Sequence, residues 1–371
     1  MVIAIEGSVA GTGETIRQRL GGMLLVRGKD SYHARSPFRR RGAPTMTTSP
    51  PTERAVTPSP AADAGSAIAV HLAEHARQAR GAFADETVRA LRNDVQKFTA
   101  WCADHGAEPM PATPDTVAAF VDAMAEIRAP ASVRRYVASV ASVHRAAGVA
   151  DPSKTEVVRL ALKRMARAKG TRQRQAAPIG ELDVERILAT AGTGLADLRN
   201  VGLLLAMRDL LARRGEAVAI EREHVAFAAD GSATVLIARS KTDQEGQGEV
   251  RWLAPRTATA LRRWLEVAGI EDGPVFRSIN KAGAVGRPLT PGEVPRILKR
   301  LTARAGIDPA GISGHSCRVG MAQDLTAHGA ELPDLMVAGR WASPAMPARY
   351  AARIAAGRGA VARYYERRGV R

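Results

Sequence analysis

The 371-residue sequence predicts a mainly helical α+β protein, with a helical domain followed by a second domain whose helices surround a small antiparallel sheet. Three observations carry that expectation. Apolar residues make up 45% of the chain but aromatic ones only 4%, so the cores must be built from Ala, Leu, Val and Ile, a mixture that favours helices. Val88, Leu91, Val95, Phe98 and Cys102 recur at three- and four-residue steps, one apolar stripe of a helix. Residues 233–238 and 249–253 read as two strands joined by a polar, Gly-containing turn over 243–248.

The elements follow in chain order. Residues 1–65 read as a disordered, low-complexity leader: Arg39, Arg40 and Arg41 precede a Pro/Thr/Ser-rich stretch through Pro60, with no sustained period. Met46 offers an alternative start. Residues 66–168 form the helical domain. Within it, Thr113 before Pro114 and Asp115 is an N-cap with proline at the first helical position, opening a helix to about Ile127. Val133, Val137 and Val140 mark a third helix closed by Gly148, and Asp151 with Pro152 breaks the chain before a fourth, basic one. Residues 169–178 make a basic linker, and 179–371 the second domain. Helical patterns there cover about 181–191, 196–212, 256–268, 291–305, 316–328 and 331–338.

Charge narrows the class of partner. The chain carries 54 Lys+Arg against 37 Asp+Glu, a formal +17. About +4 lies in the leader, +6 in 66–175 and +7 in 176–371, so both folded blocks are basic and a polyanion is the expected partner. Between Glu156 and Glu181 stand Arg159, Lys163, Arg164, Arg167, Lys169, Arg172 and Arg174 without one acid. That run is either a solvated face or a strap across a phosphate backbone. Two cysteines, Cys102 and Cys317, exclude a disulfide framework and a Cys-rich zinc site. No apolar run approaches the ~20 residues that span a bilayer, and no secretory signal opens the chain, so the expected location is cytoplasmic.

Two motifs fail on chemistry. Gly7, Gly11, Gly13 and Thr15 look like a phosphate-binding loop, but Glu14 stands where the lysine is required. His71, Glu74 and His75 match an inverted zinc-protease spacing without context for a third ligand, and a surface helix explains them as well.

The residues that carry chemistry lie later. Ser313-Gly314-His315-Ser316-Cys317-Arg318-Val319-Gly320 puts His315 and Arg318 three apart on one helix face. Gly339-Arg340-Trp341 follows, and Tyr350 comes nine residues after Trp341. Upstream, Arg213 and Glu216 are three apart at what reads as a helix end, and Lys241 sits where the first strand turns into its hairpin. In this order the set Arg213, Lys241, His315, Arg318, Trp341 and Tyr350 resembles the tyrosine recombinase (phage integrase) family over about residues 66–371. Departures are small: Leu211-Ala212 and Gly215, Ala217 flank Arg213 and Glu216 where the family commonly has Gly-Leu and Ser, Leu.

The resemblance implies a SAM-like helical core-binding domain and a catalytic domain that together clamp double-stranded DNA at specific recombination sites. It implies a homotetramer on paired sites, with no metal, no nucleotide and no other cofactor. Tyr350 is then the nucleophile, giving a 3′-phosphotyrosyl link and a free 5′-hydroxyl. Arg213 and Arg318 hold the non-bridging oxygens as planar guanidiniums can. His315 accepts the phenolic proton or hydrogen-bonds the phosphate, Lys241 protonates the leaving 5′-oxygen, and Trp341 braces the phosphate, a role compatible with simple packing. Glu216 orients Arg213 and His315. Tyr364 and Tyr365 are rival tyrosines that miss the spacing, and Cys317 is expected to be buried. Arg134, Arg135 and the seven bases from Arg159 to Arg174 are the candidate DNA contacts, mostly to phosphate. Type IB topoisomerase-like relaxation and an inactive DNA-binding relative share these residues. The tail beyond Tyr350 is expected to form a helix that docks on a neighbouring protomer. The leader does not look like an arm-binding domain, which favours a simple recombinase with short inverted-repeat sites.

Overall fold

The computed structural model describes residues 60–172, 174–238 and 248–369. Most of the predicted leader, Lys241 and most of the hairpin turn lie outside them. The chain divides into two compact units, one ending at Gln173 and the other beginning at Arg174.

In the first unit, α1 (Pro60–Gln78) starts inside the segment read as leader. It lays Ile68 and Leu72 against Val143 and Ala147, beside Leu91 and Val95. Helix α2 (Asp85–Asp104) divides its apolar stripe. Leu91 and Val95 serve that small cluster, while Phe98 and Cys102 enter a larger core with α3 (Pro114–Ile127), α4 (Pro130–Ala146) and α5 (Glu156–Lys169). Phe98 meets Phe120 edge to face at 5.0 Å between ring centres. Thr113 caps α3 as its sequence requires, its Oγ1 accepting the Thr116 N–H at 3.1 Å. Asp94 is fully buried on α2, so its charge must be met. Arg135 donates to it twice, at 2.9 and 2.8 Å, and Ser139 once at 3.0 Å.

The second unit is built on α7 (Leu195–Asp209), whose residues 202–208 are all buried. Around it lie α6 (Glu181–Thr190), the five-residue α8 (Arg214–Val218), α9 (Pro255–Ala268), α10 (Val294–Arg304) and α11 (Ser316–Ala327). Helices α12 (Leu332–Gly339), α13 (Ala345–Gly357) and α14 (Ala360–Arg367) close the chain. The predicted strands appear as β2 (Ala233–Ile237) and β3 (Glu249–Leu253), antiparallel with Val235 opposite Arg251. A third strand, β1 (Val225–Phe227), pairs with β2, and β4 (Arg277–Ile279) with β5 (Val285–Pro288) make a separate ribbon. These three were not expected: each is three or four residues long, too short to show a period.

Two close approaches fix the frame. Arg208 is buried on α7 and bridges Glu181 of α6 at 2.9 Å and Asp324 of α11 at 2.8 Å. On α11, Gly320 lies against the backbone before α6: a β-carbon there would come within 1.9 Å of the Ile179 carbonyl oxygen. Both cysteines are free and buried, and burial pushes each thiol up to about 12. Gly320→Ala is therefore expected to lower stability by about 1–3 kcal/mol through overpacking, read as a lower thermal midpoint by calorimetry.

Candidate active site

The first arginine sits on a break in the chain rather than at a helix end, as the sequence had suggested. Helix α7 stops at Asp209, Leu211 takes a left-handed φ of 43°, and Arg213 becomes the residue that opens α8. The cause is local hydrogen bonding. Glu216, three residues into the new turn, accepts the Arg213 backbone N–H at 2.9 Å with one oxygen. Its other oxygen takes Arg213 Nη1 at 2.6 Å. Glu216 is 7% exposed, so its carboxylate is a fixed charge rather than a solvated one.

Helix α11 delivers the next two residues. His315 is its N-cap, its backbone N–H donating to Ser313 Oγ at 3.2 Å, and the residue keeps part of its surface open to solvent. Arg318 lies one turn in and is 2% exposed. Its Nη1 donates to the Leu211 carbonyl and its Nη2 to the Gly339 carbonyl, and its guanidinium lies 4.2 Å from the Trp341 ring centre. Burial, with Arg213 adding to it, brings this guanidinium down to about 10, still charged at neutral pH. Two of its five N–H donors are committed to carbonyls, and the other three have no hydrogen-bond partner among the described residues.

The turn after α12 completes the site. The Trp341 N–H reaches the Met336 carbonyl at 3.0 Å and the Arg340 N–H that of Val337 at 3.2 Å, a Schellman closure with Arg340 left-handed at φ 55°. Trp341 folds back so tightly that a β-carbon on Gly339 would stand 2.0 Å from its ring. Its indole then meets Tyr350 of α13 edge to face at 5.8 Å. Tyr350 is 8% exposed, in a small cluster with Leu211, Val319 and Ala322. The sequence left Trp341 open between packing and phosphate support, and its ring packs on both Arg318 and Tyr350.

Arg213, His315, Arg318, Trp341, Tyr350 and Glu216 thus gather at one place, drawn from three helices and one turn. Arg340 joins them, donating Nη2 to Glu216 at 2.7 Å, and sequence reasoning assigned it nothing. Its only signal was position, between a glycine and a tryptophan already singled out. Three guanidiniums face one carboxylate here, an arrangement that attracts an anion.

The candidate DNA contacts of the first unit divide. Arg135 is tied to Asp94, Arg159 to Glu156 at 2.7 Å, Arg164 to Asp122 at 2.6 Å, and Lys169 Nζ to the Glu126 carbonyl at 3.0 Å. Arg134, Lys163, Arg167, Arg172 and, in the second unit, Arg174 are exposed, with no carboxylate partner among the described residues. No group of three or more metal-ligating side chains occurs among the described residues, and no helix there is long and apolar enough to cross a membrane.

Comparison with known proteins places this arrangement. The Phage integrase family matches residues 179–356, the span that contains every described residue of the site. An integrase/recombinase XerD homolog from Selenomonas ruminantium is 32% identical over 279 residues, 72% of this chain and 81% of that protein. The chain belongs to the phage integrase family. Recombinase Cre of Escherichia phage P1 is 26% identical over 307 residues, 77% of this chain and 90% of Cre. The fold is also that of two solved structures. A lambda integrase dimer bound to a core site has TM-score 0.52 and 15% identity over 76% of each chain. A transposon integrase in complex with transposon right end DNA has TM-score 0.53 and 11% identity over 78% of this chain and 98% of that one.

The site makes one prediction of its own. Desolvation by the surrounding protein, then Arg318, Arg214 and Arg213, hold the His315 imidazole below its ordinary 6.5, with Glu216 opposing. The folded protein therefore binds this proton less tightly than the unfolded chain. His315's stabilising contribution is whole above about pH 6.5 and is lost as pH falls below it. An NMR titration of the DNA-free protein should place the His315 midpoint under 6.5, and adding an oligonucleotide duplex should raise it as phosphate charge arrives.

Proposed function

We propose that this member of the family is a site-specific DNA recombinase that cuts and rejoins strands through Tyr350. The observation that carries the reading is the convergence of Arg213 and the buried Arg318 on the place where Tyr350 and Trp341 pack together. The tyrosine oxygen attacks the scissile phosphorus, the bond to the 5′-oxygen breaks, and a 3′-phosphotyrosyl link preserves the phosphodiester energy. His315, whose imidazole desolvation and the neighbouring arginines hold below its ordinary value, takes the phenolic proton or hydrogen-bonds the phosphate. Lys241 returns a proton to the departing 5′-oxygen. Arg213 and Arg318 bind the charge that develops on the non-bridging oxygens, for which a planar fork is suited. Trp341 braces the phosphate and keeps Arg318 from water. The partner is double-stranded DNA carrying recombination sites, bound by both units with the 169–178 segment between them. Arg134, Lys163, Arg167, Arg172 and Arg174 are its phosphate contacts. Complete exchange needs four cleavages, hence a homotetramer on paired sites, acting in the cytoplasm.

Covalent trapping tests the reading. On a nicked suicide duplex containing the recombination site, the wild-type chain should form a protein–DNA adduct and Tyr350→Phe none. Arg318→Lys should slow adduct formation by about 10²–10³-fold. An adduct that survives Tyr350→Phe assigns the nucleophile elsewhere. Relaxation of supercoiled plasmid by a monomer, with no dependence on paired sites, replaces recombination with topoisomerase-like swivelling. Duplex binding without any adduct makes the chain an inactive DNA-binding relative.

A further inference from the structure

Arg340 occupies its position against two physical preferences. It is the left-handed residue of the turn that ends α12, φ 55° and ψ 50°, where glycine is the favoured residue because it has no β-carbon. Its side chain is 6% exposed, yet among the described residues its Nε and Nη1 have no hydrogen-bond partner, an unfavourable state for buried donors. A residue chosen only to end a helix would meet neither condition. What the side chain does gain is one strong contact: Nη2 lies 2.7 Å from Glu216 Oε2, with the Leu210 carbonyl at 3.5 Å.

That contact decides how Glu216 can hold Arg213. Oε2 already accepts the Arg213 backbone N–H, while Oε1 accepts Arg213 Nη1. With Arg340 also on Oε2, the carboxylate cannot turn to take the Arg213 guanidinium on both oxygens. The Arg213 guanidinium is therefore held through Nη1 alone, and its Nε and Nη2 have no partner among the described residues. Without Arg340, the ordinary bidentate carboxylate–guanidinium pair becomes available, and it would turn those donors inward. The same turn supplies the Gly339 carbonyl to Arg318 and the Trp341 ring to Tyr350, so Arg340 ties the first arginine to the segment that fixes the second.

We infer that Arg340 is a positioning residue: through Glu216 it aims the Arg213 guanidinium outward, toward the phosphate. The inference rests on the recombinase reading for its consequence, but not for its geometry. Arg340→Gly is the discriminating variant, since the backbone prefers glycine there. A residue that merely caps the helix would leave single-turnover adduct formation on suicide DNA unchanged or improved. A positioning residue should lose about 10–100-fold in that rate, with duplex affinity within about twofold of wild type. Arg340→Lys, able to keep one contact to Glu216, should recover part of the loss. In a Glu216→Gln background, Arg340→Gly should add less than about twofold, because the two act through one carboxylate.

A second measurement needs no DNA. The Arg213 Nε–H signal in a nitrogen-15 spectrum should sharpen or broaden, and change its solvent exchange, when Arg340 is replaced. Wild-type cleavage by Arg340→Gly, additive losses with Glu216→Gln, or an Arg213 signal indifferent to Arg340 would each overturn the inference. Failure of the wild-type chain to form any adduct would instead count against the recombinase reading, and the Arg213 signal would still decide whether Arg340 holds it.

Discussion

A guanidinium moved out of water loses several kcal/mol of hydration unless its N–H groups find acceptors. Arg318, 2% exposed, meets that demand with two backbone carbonyls and an aromatic face, drawn from two separate turns of the second unit. The Leu211 carbonyl is presented only because the chain turns left-handed there, which ends α7 and starts α8 at Arg213. The Gly339 carbonyl is presented by the closing turn of α12, and the aromatic face by Trp341 folding back over a glycine. Two irregular pieces of backbone are thus explained by one buried cation. Strain at such positions persists where the surroundings over-determine it, and here the surroundings are the site itself.

Glu216 complements that cation with a different task. A carboxylate at 7% exposure among arginines holds one guanidinium by a single nitrogen and is itself held by another. The local sum stays positive, so the field points at an incoming anion while each guanidinium keeps an assigned direction. Preorganised charge of this kind needs little rearrangement when negative charge builds up, and that is the source of its catalytic value.

Much of this could be read from the chain. The stripe on α2, the Thr113 cap, the buried run of α7 and the His315–Arg318 pair all depend on neighbours within a turn or two. What stayed hidden depends on distant partners. Asp94 and Arg135 are 41 positions apart, and nothing local to either says that the arginine is already engaged. Arg164 and Asp122 are the same case at 42. The break at Leu211 follows from an acceptor needed by a residue 107 positions later. Arg340 was hidden differently: its neighbours drew attention, while its partner, Glu216, is 124 positions away. Short strands such as β1 and β4 are set by the sheet edge they complete, since three residues cannot carry a pattern.

Cys102 and Cys317 are sealed in the cores of separate units, with thiols that stay protonated far above neutrality. Neither offers a thiolate to an alkylating reagent while the fold is intact. The natural chain is therefore already a blank background for site-directed spin or dye labelling. A cysteine introduced at an exposed position on α5 and another on α14 would be the only reactive sulfurs in the folded molecule. Distances between the two units could then be followed through a reaction cycle without first removing a native residue.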